Sequence, residues 1–82
     1  MEIVFAKEVV KHGNDCTVCR VYLIFKWGLK YICKMFEAYY GWVWDKKKEY
    51  TFNASNDEWF DAFDNAHDTV IHEMQMRGDY EE

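Results

Sequence analysis

The sequence predicts an α+β domain in which a small antiparallel sheet of three to four strands packs against one C-terminal amphipathic helix. Three observations carry that prediction. Residues 16–26 alternate with period two. Turn clusters His12-Gly13-Asn14-Asp15 and Trp27-Gly28 bracket that stretch. Apolar residues then recur at three- and four-residue steps from Trp59 to Met74.

Eighty-two residues suffice for one domain. A chain of this size buries only about 60–65% of the surface that its unfolded form exposes, so its core is thin. Four Trp, six Tyr and six Phe compensate, since each buried aromatic removes roughly 150–250 Å² from water. The reading is a single α+β domain over residues 1–78 followed by an acidic tail at 79–82.

Taken in order, residues 3–11 are β-branched and mixed with charge, and the turn at 12–15 joins them to the second segment as a hairpin. In that segment Cys19, Val21, Leu23 and Phe25 share one face, while Arg20, Tyr22, Ile24 and Lys26 share the other. Residues 29–40 fit either a helix or a strand. A strand returning directly from the Trp27-Gly28 turn is the shorter connection. Further on, Trp42-Val43-Trp44 and Glu49-Tyr50-Thr51-Phe52 flank Asp45-Lys46-Lys47-Lys48, which reads as another hairpin with a basic tip.

The helix is expected over residues 56–77. Ser55 and Glu58 have capping-box spacing, and Gly78 follows Arg77 as a terminator. Its apolar stripe comprises Trp59, Phe60, Phe63, His67, Val70, Ile71 and Met74.

No stretch approaches the roughly 20 apolar residues that cross a bilayer; the longest apolar run, residues 21–25, has five. The first residues lack the basic start and apolar core of a signal peptide. A soluble, cytoplasmic protein with reduced cysteines is expected. His12, Cys16, Cys19 and Cys33 could be taken for zinc ligands, but the spacing lacks a second Cys or His pair. In a strand, moreover, Cys16 and Cys19 point to opposite faces. Cys19 and Cys33 instead read as small buried hydrophobes. No cofactor is implied. No phosphate loop, nucleophile elbow or metalloprotease run is present, so no enzyme is expected.

Charge is the most informative property. Residues 1–56 carry nine Lys/Arg against six Asp/Glu, and residues 57–82 carry one against nine. Asp57, Asp61, Asp64 and Asp68 fall at i, i+4, i+7 and i+11, which lines four carboxylates along one helical ridge beside Glu58. No Lys or Arg occurs between Lys48 and Arg77. Such a ridge serves either as a solvated face or as a docking surface for a basic protein, reached by electrostatic steering. An alternative surface is Trp42 and Trp44 with Lys46, Lys47 and Lys48, since aromatics in a basic groove hold single-stranded nucleic acid. The acidic total and the acidic helix argue against direct nucleic-acid binding.

The short acidic chain, the aromatic-rich strands and the ridge of Asp57, Glu58, Asp61, Asp64 and Asp68 resemble the small phage-encoded inhibitors of bacterial immunity, anti-CRISPR proteins among them. The resemblance implies a non-enzymatic inhibitor in the host-cell cytoplasm. It would dock on a basic nucleic-acid site of a defence effector and mimic phosphate there. Lys46, Lys47 and Lys48 depart from a uniform nucleic-acid mimic.

Overall fold

Four strands follow one another along the chain and the helix comes last: β1 (Glu2–His12), β2 (Thr17–Trp27), β3 (Lys30–Tyr39), β4 (Asp45–Asn53) and α1 (Trp59–Met76). The computed structural model describes residues 1–39, 43–55 and 57–80. The strands form one antiparallel sheet in the order β1-β2-β3-β4, each beside its sequence neighbour. The segment that reads as either helix or strand is therefore a strand over Lys30–Tyr39. Gly28 decides it locally: Trp27 pairs with Lys30, and a two-residue hairpin loop needs positive φ, which Gly28 supplies at 58°.

The helix lies across β2, β3 and β4. It covers Tyr22 and Ile24 of β2, Tyr31, Cys33 and Met35 of β3, and Phe52 of β4. On the helix side, contact is made by Ala62, Ala66, Val70 and Met74. The two alanines let the backbones approach, and the Cys33 thiol donates to the Ala66 carbonyl at 3.2 Å. β1 joins the core through Phe5, whose ring meets the His67 ring edge-on at 5.1 Å.

The alternation in β2 holds, and the helix selects its mixed side. Tyr22 and Ile24 are among the largest fully buried side chains, whereas Val21, Leu23 and Phe25 lie on the face turned away from α1. The molecule is only 15 Å thick along its shortest axis, room for one helix on one sheet.

Three local expectations are corrected. Lys46, Lys47 and Lys48 are no hairpin tip, because β4 runs unbroken from Asp45 to Asn53. A bulge interrupts its pairing: Met35 faces Lys48 and Phe36 faces Lys46, leaving Lys47 as the extra residue. The helix begins at Trp59 behind Glu58, with no side-chain cap bond. Ser55 instead offers its carbonyl to the Glu58 N–H at 3.1 Å, closing a turn. Phe60, assigned to the apolar stripe, is 83% exposed, since the buried line runs through Ala62 and Ala66. At the other end Gly78 adopts φ 72°. The Gly78 N–H reaches the Gln75 carbonyl at 3.0 Å, and the Asp79 N–H reaches that of Met74 at 2.7 Å. These are the two bonds of a Schellman terminus.

Candidate protein-interaction surface

The sequence places its acidic ridge on the outer side of α1, and the described carboxylates are there. Asp61, Asp64 and Asp68 stand exposed on the helix. Asp57 and Glu58 are also exposed, but they precede the first helical residue. The ridge thus has three helical members and two at the helix entrance. Among the described residues none of the five takes part in an ion pair. Carboxylates at a helix N-terminus also complement its dipole, which offsets part of their mutual repulsion.

The opposite end of the helix is built differently. Asp79, grouped by sequence with an acidic tail, is only 5% exposed. The Tyr22 hydroxyl donates to its Oδ2 at 2.6 Å, and Arg20 Nη1 donates to both oxygens at 2.9 and 3.0 Å. Lys11 lies 2.8 Å from Oδ1 and also donates to the Gly78 carbonyl at 2.7 Å. Burial alone would raise the Asp79 pKa. Hydrogen bonds from Lys11, Tyr22 and Arg20 outweigh it and hold the carboxyl below its ordinary value. Burial beside that carboxylate drives the Tyr22 hydroxyl strongly upward.

Two further carboxylates extend the network. Glu37 accepts from Arg20 Nε at 2.7 Å. Glu73 accepts from Arg77 Nε at 2.8 Å and from Lys48 at 3.1 Å. Burial works against both ionised forms. For Glu37 the bonds from Tyr39 and Arg20 win, and for Glu73 those from Arg77 and Lys48, so both titrate below the usual range. Sequence reasoning missed this network because its members are far apart in the chain. The one local signal was the i, i+4 spacing of Glu73 and Arg77.

The alternative surface divides among three directions. Lys46 donates to Glu49 at 3.4 Å, Lys47 to Asp45 at 2.9 Å, and Lys48 crosses to Glu73 under the helix. Trp44 is exposed, and Trp42 lies outside the described residues. Each of the three lysines is therefore engaged with a carboxylate.

Cys16 is exposed before β2, while Cys19 and Cys33 are buried on opposite faces of the sheet. His12 sits 3.3 Å from the Thr17 hydroxyl. The three thiols do not converge, and no group of three metal-ligating side chains occurs among the described residues. His67 is a half-buried core residue stacked near Phe63 at 6.0 Å. Among the described residues no helix is long and apolar enough to cross a membrane. No family model, curated protein or solved structure matches the chain.

Proposed function

We propose that this chain is a non-enzymatic binding protein that lays the acidic outer face of α1 on a basic protein surface and inhibits its partner by occupying that surface. One observation supports the reading above others: among the described residues, the acids at the start and along the outer face of α1 stand together without cations. The other described acids that lack an ion pair, Glu2, Glu8 and Asp15, are scattered over the first hairpin. Glu37, Glu73 and Asp79 are each held by cations, while Asp57, Glu58, Asp61, Asp64 and Asp68 face solvent and, among the described residues, have none. A partner's lysines and arginines supply the missing countercharge, and the field of the ridge accelerates encounter. A nucleic-acid-handling effector of bacterial defence has the right kind of surface, because its phosphate-binding residues are basic. That partner class accords with the likeness to phage-encoded inhibitors.

The test is comparative capture from a bacterial lysate with the wild type and an Asp61→Lys/Asp64→Lys variant. Both positions are exposed, so circular dichroism should show an unchanged fold. The wild type should retain a basic protein that the variant loses, and nucleic acid should compete for the site. Equal capture by both proteins would reduce the ridge to a solvated face.

A further inference from the structure

Among the described residues no helix or strand lies over the face of the sheet turned away from α1; Cys19 and Ala38 at one end of it are buried, and the remainder is largely apolar. Val21, Leu23, Phe25, Ile32 and Phe36 are half-buried on it, and Ile3 and Trp27 are exposed by 55% and 60%. Contiguous apolar surface of this kind marks an interaction site. Strands of nine to eleven residues compose it. At about 4.8 Å between strands and about 3.3 Å per residue, the face measures about 600 Å². Two such faces together reach about 1,200 Å², the lower bound for a stable specific interface.

The charges on this face indicate what covers it. Register pairing sets Glu8, Val21, Phe36 and Lys46 in one row across the four strands. The row reads acid, apolar, apolar, base. Stack two sheets about a two-fold axis that runs parallel to the strands, between β2 and β3. β1 then lies over β4 of the second copy, and β2 over its β3. Glu8 meets the second copy's Lys46, and Val21 meets its Phe36. Another row, Ile3, Phe25, Ile32 and Thr51, sets apolar Phe25 over Ile32. The row between them, Ala6, Leu23, Lys34 and Glu49, sets Leu23 over the stem of Lys34, whose ammonium lies 3.7 Å from Glu49 of its own chain. At the end of the sheet Trp27 pairs with Lys30, so the same operation brings each indole toward the other copy's ammonium, a cation–π arrangement. Glu8 and Lys30 have no ion pair within their own chain among the described residues.

We infer that the open sheet face joins two copies of this chain into a symmetric dimer with the two sheets stacked inside and the two helices outside. A two-fold interface must be complementary to itself, and the rows through Glu8 and through Ile3 are. A single-stranded nucleic acid fits the face less well, because Glu8 and Glu49 lie on it and Glu49 engages both Lys46 at 3.4 Å and Lys34 at 3.7 Å. The inference is independent of the acidic ridge, which remains on the outside of such a dimer.

Charge reversal provides the test. In one chain, Glu8 and Lys46 are three strand spacings apart, about 14 Å, and cannot pair with each other. Glu8→Lys alone places like charges together twice in the dimer, and so does Lys46→Glu alone. Each variant should dimerise at least about tenfold more weakly than wild type in sedimentation equilibrium. An equimolar mixture should recover a heterodimer, since both contacts are then opposite in charge. Wild type that remains monomeric through the micromolar range overturns the inference. So does a dimer indifferent to both reversals and to their mixing, or a monomer whose face instead takes up a single-stranded oligonucleotide.

Discussion

Tyr22 on β2 and Asp79 beyond the end of α1 are joined by a 2.6 Å hydrogen bond from the phenol to the carboxylate. Both residues are buried, and Arg20 and Lys11 bind the same carboxylate. This contact ties the segment after the helix to the first hairpin. Asp79→Ala would leave the Tyr22 hydroxyl and part of the Arg20 guanidinium without a partner. Removing one member of a buried charged pair costs about 3–5 kcal/mol. The lower end is expected, because Glu37 still holds Arg20. Urea unfolding should show it, and a loss below about 1 kcal/mol would mean that Asp79 is solvated.

Acid should unfold the protein through the same carboxylates. Asp79, Glu37 and Glu73 titrate lower in the folded state than their ordinary values. The folded protein therefore binds fewer protons, and the stabilisation is present above the unfolded pKa near about 4. It is lost as pH falls through the lowered folded values. Melting temperature should be flat above about pH 5 and fall below about pH 4. Asp79→Asn should flatten that acid slope.

The helix contact depends on small side chains. Ala66 is fully buried opposite Cys33, so Ala66→Leu should force the layers apart and cost about 1–3 kcal/mol. Phe60→Ala removes a ring that is already in water and should change stability by less than about 0.5 kcal/mol. Thermal melts of the two variants compare a small buried residue with a large exposed one, and the small one should matter more.

Thiol labelling separates the cysteines. Cys16 is exposed, whereas Cys19 and Cys33 are buried. Burial also pushes the Cys33 thiol up to about 11, so it holds almost no thiolate at neutral pH. One thiol per chain should react quickly with an aromatic disulfide reagent. The other two should wait for the chain to open. Rapid reaction of all three would contradict the packing of β2 and β3.

The architecture was legible because its signals are local. Gly28 after Trp27 marks a tight hairpin, and Gly78 after Arg77 marks a helix end. The side of β2 that takes the helix was not legible, since both faces carry apolar residues and alternation is blind to which one is covered. Residue size misled at the helix: Phe60 has the bulk of a core residue, yet Ala62 and Ala66 form the contact. The ridge acids were found because one helix carries them. Arg20, Glu37 and Asp79 were missed because strand pairing and helix docking bring them together from separations of 17 and 59 residues.

The meander order has a kinetic consequence. Every strand joins the one beside it in sequence, so the sheet can grow by zipping successive hairpins, each closing a short loop. The bonds from Lys11 to Gly78 and from Arg20 to Asp79 span 67 and 59 residues. They close the longest loops and belong late in folding. Weakening that clasp should therefore speed unfolding while leaving the refolding rate nearly unchanged, the pattern of an interaction absent from the transition state. A chevron plot of Asp79→Asn should show its unfolding arm raised and its folding arm superimposed on wild type. The protein's lifetime against opening is then governed at the junction of its two ends, while its speed of formation is governed by the turns between its strands.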